Sequence, residues 1–589
     1  MILGFNYFPS NQGCDFWKSW DKEEIEDDFK KMSELGYNTI RFFIIWRDFE
    51  PEEGKYNKVL LQRLRDFVVL AKKYHLYCIP SIITIWLNGQ LLELPWRNGR
   101  NMWTDSFMRI KQRAFIRRIV ETISTEPNVY AYDIGDEITY INHFSMSLMT
   151  NQQVSDWLSD KVDVIRSVDP KAKVIMANDY KSVIGSHGFN LRNTSLHLDF
   201  LAVHGFPNWS PFEIESNDSY KASLFVPFLV KLTSLFGVPL IDEFGLYAAS
   251  ELKRADYIRT SGVSSVLNGA IGILGWNWKD STYDNTPYIE RPWEKQVGFF
   301  NQLGEEKSSS ITLRECGHWY DKISKKQKIE CDVAIYVPDN YFNSSLKSQE
   351  DVSLFNCFLL LTRINIPHEF TTHDLSKYKA IILPSVHHLN QIDLDRLLKF
   401  VQSGGTIIYS PGSLLDGFGS EELFGVTIDD FSMRYEIDIF EYKGQEHMLD
   451  WKKAGFNQIP LISCTSAEQL STYMESKTPA ITLKSHINKG KAYYLNAPIE
   501  LSLNTPYSLE HENYHSLYKQ ILADEGIYPP ATFSCPDVEI QILKDFGTKE
   551  YVLINHSTSD CIGDFQIIGG TKAEISVPKK SIRNLIIKD

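Results

Sequence analysis

At 589 residues the chain is long enough for three or four domains, which excludes a lone binding module. Apolar residues make up 43% and charged residues 23%, the balance of a globular protein and not of a disordered one. Acidic side chains outnumber basic ones by 75 to 61, a formal charge of −14; this argues against a polyanion as principal ligand, and no nucleic-acid reader is seen.

The longest apolar runs, Leu224–Val230 and Ile271–Trp276, fall well short of the ~20 residues that cross a bilayer, so no membrane association is expected. The N-terminus enters Ile2-Leu3-Gly4-Phe5-Asn6-Tyr7-Phe8-Pro9 without a basic segment and long apolar run, and a cytoplasmic protein is expected. The eight cysteines, at 14, 78, 316, 331, 357, 464, 535 and 561, show neither CxxC nor metal-ligand spacing. They read as buried free thiols, with no metal or cofactor implied.

Over the first ~300 residues short apolar runs alternate with amphipathic helical patterns, the appearance of parallel strands joined by helical crossovers. Eight runs stand out: Ile2–Pro9, Asn38–Trp46, Leu76–Thr84, Val129–Glu137, Lys173–Asp179, Phe200–Pro207, Pro239–Gly245 and Ile271–Trp278. Between the first two, Asp21-Lys22-Glu23-Glu24 resembles a capping box, and Ile25, Phe29, Met32 and Leu35 follow at helical spacing before Gly36. Eight such units predict an α/β fold, a (β/α)8 TIM barrel over 1–325, with functional groups at the C-terminal ends of its strands. The connection from Trp86 to Asp105, rich in tryptophan, is expected to form part of a pocket rim.

Lys325–Lys328 reads as a linker to a second domain over 330–528. Asp332–Pro338, Tyr378–Ser385, Gly405–Pro411 and Lys491–Ala497 look like buried strands. Helices are expected near Glu350–Asn365, Gln391–Gly404 and Ser508–Gly526, which together make a doubly wound α/β unit. After Pro529-Pro530, short β runs from Cys535 onward predict a small C-terminal β-sandwich over 529–589.

Two barrel strands end in adjacent acids. The fourth reads Val129-Tyr130-Ala131-Tyr132-Asp133-Ile134-Gly135-Asp136-Glu137 and the seventh Pro239-Leu240-Ile241-Asp242-Glu243-Phe244-Gly245. Burying such carboxyls without purpose is costly. A facing pair is what glycoside hydrolysis requires, one group protonated to release the leaving oxygen and the other ionised against the developing oxocarbenium ion. At about 5–5.5 Å in the retaining case, each charge raises its neighbour's pKa, so one group stays protonated and serves as acid.

On these motifs the first ~300 residues resemble clan A of the retaining glycoside hydrolases, which contains families 5, 35 and 42. Gly4-Phe5-Asn6-Tyr7-Phe8-Pro9 is similar to a clan strand one, and Asn38-Thr39-Ile40-Arg41 with Trp46 and Glu50-Pro51-Glu52-Glu53-Gly54 to strand two and its loop. The resemblance implies Glu137 as acid/base and Glu243 as nucleophile, Arg41 beneath the nucleophile, and His204 and Trp276 lining the sugar site. Two positions depart from the clan pattern. Asp136 stands where the clan has asparagine, and an ionised Asp can only accept from a sugar hydroxyl. His204-Gly205-Phe206 lacks the strand-six tyrosine, for which Tyr180, Tyr283 or Tyr288 is a candidate replacement.

The order of domains is similar to family 42 β-galactosidases, with a glutamine-amidotransferase-like middle domain that makes a trimer, whereas the barrel motifs read nearer to family 5. The segment Ile381-Ile382-Leu383-Pro384-Ser385-Val386-His387-His388 has no cysteine at the amidotransferase position, so this domain is read as structural.

For Arg41 the alternative is a structural tie between strands, and for His204 a satisfied core histidine. Among the aromatic residues Trp46, Trp86, Trp103, Trp209, Trp276, Trp278 and Tyr283 are candidates to meet a sugar face. His387-His388 reads as a solvated loop, since adjacent residues diverge. The expected activity is exo-acting retaining hydrolysis of short β-linked oligosaccharides by a homo-oligomer. β-Galactoside is the first choice of sugar, with β-mannoside or β-glucoside as the alternative. A catalytically silent sugar-binding protein is the alternative of another class.

Overall fold

The computed structural model describes residues 1–588 except 186, 286–287, 413–416, 434–436, 454–458 and 546. The first unit, Met1–Ser210 with Phe225–Lys325, is built on eight parallel strands: Ile2–Asn6, Thr39–Ile45, Tyr77–Thr84, Tyr132–Asp136, Val174–Ala177, Leu201–Gly205, Pro239–Phe244 and Gly272–Gly275. Numbered in that order, their spatial sequence is 5-4-3-2-1-8-7-6. Asp199 N donates to Val174 O at 2.9 Å and brings the sixth strand back to the fifth. The fold is the TIM barrel that the alternating runs predicted.

The barrel interior changes character along its axis. Ile2, Ile79, Ala131, Ile175, Leu240 and Leu274 form one buried apolar cluster at the strand starts, filling the bottom as packed side chains do in this fold. Toward the strand ends, Asn6, Arg41, Asp133 and Asp242 are also fully buried, and this polar layer supports the site above it.

The first crossover helix, Lys22–Glu34, buries Ile25, Phe29 and Met32, and Asp21 caps it by accepting from Glu24 N. Only half of the expected capping box forms. The Glu24 carboxylate accepts instead from Ser10 N at 3.0 Å, a long-range partner that local spacing does not reveal.

The second unit comprises Pro211–Leu224 and Lys326–Asp589. Its seven-stranded sheet runs in the order His368–Thr371, Val333–Tyr336, Ala380–Val386, Thr406–Pro411, Lys491–Leu495, Pro479–Ser485 and Glu468–Thr472. The first five strands are parallel and the last two antiparallel. Helices Lys347–Arg363 and Gln391–Gln402 are its crossovers. The helix expected near Ser508–Gly526 is two, Ser508–His511 and Tyr514–Asp524, because Glu512 is extended. Ser385 has φ +40, and its Oγ donates to the buried Glu500 Oε2 at 2.8 Å.

The last residues form a four-stranded and a three-stranded sheet around Phe533, Val538, Leu553 and Phe565. Gln327–Lys328, read as linker, is an edge strand of the first of these, antiparallel to Leu543–Lys544. A two-residue polar edge carries no periodic signal, so the pattern missed it.

Candidate active site

Glu137 follows the fourth strand, where its N–H donates to Ala177 O of the fifth at 2.9 Å. Its backbone is left-handed, φ +40 and ψ +31, a conformation that costs a non-glycine residue about 1–3 kcal/mol and collects at functional sites. Glu243 lies in the seventh strand. The side chains are 23% and 8% exposed, and both line one cavity of about 280 Å³ at the C-terminal end of the barrel.

His204 joins them. Its Nδ1 lies 3.2 Å from Glu137 Oε1 and 3.6 Å from Glu243 Oε2, and its Nε2 lies 3.3 Å from Asp242 Oδ2. Beneath, Arg41 Nη1 donates to Glu243 Oε1 at 3.2 Å and to Asn6 Oδ1 at 2.8 Å. Arg41 Nη2 donates to Asp133 Oδ2 at 2.8 Å and to Asp136 Oδ1 at 2.5 Å. Asp133 Oδ1 also accepts from Gly135 N and Ala177 N, at 3.1 and 3.0 Å.

Asp242 and Glu243 are neighbours in one strand, where successive side chains point to opposite faces. Both nevertheless reach His204, because the seventh strand carries an extra residue here relative to both neighbours: the pairs Ala202 with Leu240 and His204 with Glu243, and Ile273 with Ile241 and Gly275 with Phe244, span unequal lengths. A bulge re-aims a side chain in this way. The fourth strand has a similar register shift between Asp133 and Asp136.

Five carboxyls, on Asp133, Asp136, Glu137, Asp242 and Glu243, therefore surround the cation Arg41 and the titratable His204. Burial raises the Asp136 carboxyl to about 6, against the pull of Arg41 and with Glu137 adding to the rise. Burial, and then Asp136, push Glu243 up, while His204 and Arg41 oppose. Burial disfavours a charged His204 ring, yet Glu243 and Asp242 hold it well above the usual imidazole range. Against its own burial, Asp242 is held below the usual carboxylate range by His204 and Arg41. Burial thus favours the protonated forms of Asp136 and Glu243, and at Glu243 the charges that oppose this and favour the carboxylate are His204 and Arg41.

Asp136, His204 and Glu243 each bring one donor atom within 4.8 Å of the others, a possible cation cage by distance. Arg41 already donates to both carboxylates, so a resident positive charge fills that role, and no metal is assigned.

Of the aromatic candidates, Trp86, Trp209 and Trp276 line the cavity. Trp86 stacks on Tyr140 at 5.1 Å, and Trp209 is a rim residue, 53% exposed. Trp276 makes a cis peptide with Asn277, and its Nε1 donates to Glu294 Oε2 at 3.2 Å. The other four candidates are corrected. Trp46 is buried on Phe115 and donates to Glu50 Oε2; Trp103 donates to Ile141 O and packs on Trp157 and Phe189. Trp278 is core against Phe5 and Phe300, and the Tyr283 hydroxyl is taken by Asp15. Nothing in composition separates a core indole from a cavity indole.

Phe206 leaves no phenol on the sixth strand. Of the expected replacements, Tyr180 lines the cavity, whereas Tyr283 and Tyr288 do not. Tyr247, beyond the seventh strand, lies edge-on to Phe206 at 5.2 Å and donates to Glu294 Oε2 at 3.4 Å. Tyr247 and Glu294 were missed from sequence, and Asp242, noted beside Glu243, was given no role. Only Asp242, an acid inside an apolar strand, carried a local signal.

Residues 4–282 match the family model described as Cellulase (glycosyl hydrolase family 5), and residues 330–528 match that of the Beta-galactosidase trimerisation domain. The chain is a clan A glycoside hydrolase. This clan A enzyme is 19% identical to beta-galactosidase BgaA of Clostridium cellulovorans, over 95% of this chain and 94% of that protein. Its fold is similar to that of the exo-beta-1,4-mannosidase Op5Man5 from Opitutaceae bacterium strain TAV5, with TM-score 0.79 and 24% identity over 89% of this chain and 96% of that one. It is also similar to Gan42B, a GH42 beta-galactosidase from G. stearothermophilus, with TM-score 0.73 and 16% identity over 100% and 98%. Among the described residues no helix of the glycosidase is long and apolar enough to cross a membrane.

Proposed function

We propose that this enzyme is an exo-acting retaining β-mannosidase for short oligosaccharides, with Glu243 as nucleophile and Glu137 as acid/base. The observation that carries the reading is the position of His204 Nδ1, 3.2 Å from Glu137 Oε1 and 3.6 Å from Glu243 Oε2, which bounds the separation of those oxygens at their sum, 6.8 Å. That bound is compatible with the ~5–5.5 Å of retaining enzymes and supports that reading over the wider ~6.5–9.5 Å spacing of inverting ones. The cavity volume of about 280 Å³ suits a short saccharide better than a polymer chain.

In the first half-reaction Glu137 gives its proton to the glycosidic oxygen while Glu243 attacks the anomeric carbon, breaking the glycosidic bond and forming a glycosyl ester. Arg41, donating to Glu243 Oε1, aims the attacking carboxylate. Esterification removes the Glu243 charge, and Glu137, left as a carboxylate by the first step, takes a proton from water. The water oxygen then attacks the same carbon, releasing sugar and restoring Glu243 as a carboxylate.

The glycone is chosen by the barrel, and the barrel matches the family 5 model. With the likeness to an exo-mannosidase across 89% of the chain, this moves β-mannoside ahead of β-galactoside. β-Galactoside is the second reading, supported by the curated relatives. A nitrophenyl β-glycoside panel decides: mannoside is expected to be cleaved fastest, and faster cleavage of galactoside reverses the order. A 2-fluoro sugar is expected to label Glu243 covalently. Reversible binding without turnover or label would instead mark a silent sugar-binding protein.

We further place the enzyme in the cytoplasm, supported by the lack of a disulfide at Cys14, Cys78, Cys316, Cys357, Cys464, Cys535 and Cys561, and read residues 330–528 as the part that forms a homo-oligomer, a trimer by family precedent. Light scattering is expected to give three times the mass of 67.9 kDa; a monomer overturns this.

A further inference from the structure

A second cavity, of about 330 Å³, lies within the C-terminal unit. The end of helix Lys347–Arg363, helix Tyr514–Asp524, and strands Ala531–Phe533 and Cys561–Ile567 contribute to its wall. Arg363, Lys519, Lys572 and His515 face it beside one carboxylate, Asp564, which pairs with Lys572 at 2.9 Å.

Arg363 is the unusual member. Its side chain is only 5% exposed, and Nη2 lies 3.3 Å from Asp537 Oδ1. The guanidinium also lies 5.4 Å from the centre of the Tyr220 ring. Nε and Nη1, however, have no hydrogen-bond partner among the described residues. Glu510 Oε1 stands 4.0 Å from Nη1, beyond hydrogen-bonding reach. Leaving two donors of a buried cation unsatisfied is costly, and an acceptor entering the cavity removes that cost.

A second observation points the same way. His515 Nδ1 is buried and also lacks a hydrogen-bond partner among the described residues. Burial, with Arg363 and Lys519, pushes the ring pKa down to about 4 against the pull of Asp537. Burial is the largest cause, and at the ring the charges of Arg363 and Lys519 add to it. Hydroxyls complete the donor set: Ser534 Oγ accepts the Asp564 N–H at 3.0 Å, which leaves its own proton to donate.

We infer that this cavity is an anion site that takes a phosphate group, either free or as the end of a small sugar phosphate. An arginine fork with ammonium and hydroxyl donors matches the several acceptor oxygens of a phosphate, and the volume admits an attached hexose. The inference is independent of the glycosidase reading, and hydrolysis is not its readout.

The test is calorimetric binding and thermal unfolding of the full chain with inorganic phosphate, a hexose 6-phosphate, the neutral hexose, and sodium chloride at matched ionic strength. Saturable binding of inorganic phosphate with a rise in Tm is expected, with no effect from the neutral hexose. Tighter binding of the hexose phosphate makes a sugar phosphate the source; equal binding makes it the free anion. Arg363→Gln is expected to weaken phosphate at least about tenfold. Because that change leaves Asp537 unpaired, the surface variant Lys519→Gln, expected to weaken binding several-fold, is the companion. In the wild type, bound phosphate is expected to raise the His515 pKa from about 4, read by NMR. A phosphate effect no larger than that of sodium chloride, or undiminished binding in Lys519→Gln, overturns the inference.

Discussion

His204 Nε2 lies 3.3 Å from Asp242 Oδ2, so the ring nitrogen turned away from Glu137 and Glu243 faces a buried carboxylate. Such a partner favours the imidazolium and holds the ring in one orientation.

Asp242→Asn is therefore expected to lower the His204 pKa. A histidine whose folded pKa is raised contributes stability that is full below the unfolded value, near 6.5, and is lost as pH rises through the folded one. The wild type is then more stable than Asp242→Asn at pH 6, and the gap narrows toward pH 9. Urea unfolding at several pH values checks this. A pH-independent gap would mean that Asp242 acts only by packing.

Glu137→Gln and Glu243→Gln are each expected to lower hydrolysis of an unactivated disaccharide by about 10²–10⁴-fold or more. Nitrophenyl substrates, which leave without a proton, should recover much of the loss in Glu137→Gln and little in Glu243→Gln. Glu137→Gly should in addition unfold at higher urea by up to about 1 kcal/mol, since glycine accepts φ +40 without strain. Steady-state kinetics and urea titration read the two effects separately.

Asp136 makes the pH dependence of activity specific. Its carboxyl is raised to about 6, so below that pH it can donate to a sugar hydroxyl and above it only accept. Between about 3.8 and 6 the folded state holds the proton that the unfolded state has lost, so stability falls as pH rises through this window. Asp136→Asn is expected to be about 1–3 kcal/mol more stable than wild type above pH 6, and close to it at pH 4. Its activity should persist above pH 6, where that of the wild type declines. Melting curves and kcat/KM against pH test both statements.

Glu50 gives a contrasting case. Its carboxylate accepts from Trp46 Nε1 at 2.8 Å and from Gly54 N at 2.7 Å, and its carbonyl accepts from Trp96 Nε1 at 2.8 Å. The motif Glu50-Pro51-Glu52-Glu53-Gly54 is thus tied together by its first member. Glu50→Ala should destabilise by about 2–4 kcal/mol through two orphaned donors, with kcat of the folded fraction unchanged, and Glu50→Gln, whose single amide oxygen accepts from only one of the two, should restore at most part of the loss. Denaturation and active-site titration separate these outcomes.

The barrel was legible because strand and helix periods are local, and each of the eight strands lies inside its apolar run. The carboxyl pair was legible because strand ends in this fold share one face, so two acids at two strand ends meet wherever the barrel closes. The indoles were not. Trp46 and Trp278 are as aromatic as Trp86 and Trp276, and only their neighbours across the barrel, Phe115 and Phe300 for the first two, decide which are core.

By itself the amino-acid order determined the number of strands, the chain order of the units, and the two acids that face each other. Those depend on period and on which residue ends a strand. Tertiary structure alone decided that Asp242 would join Glu243 against His204, and that Arg41 would reach Asp133, Asp136 and Glu243 together. Side chains alternate along a regular strand, so that convergence required an extra residue in the seventh strand, and a bulge is set by pairing with neighbours from distant parts of the chain.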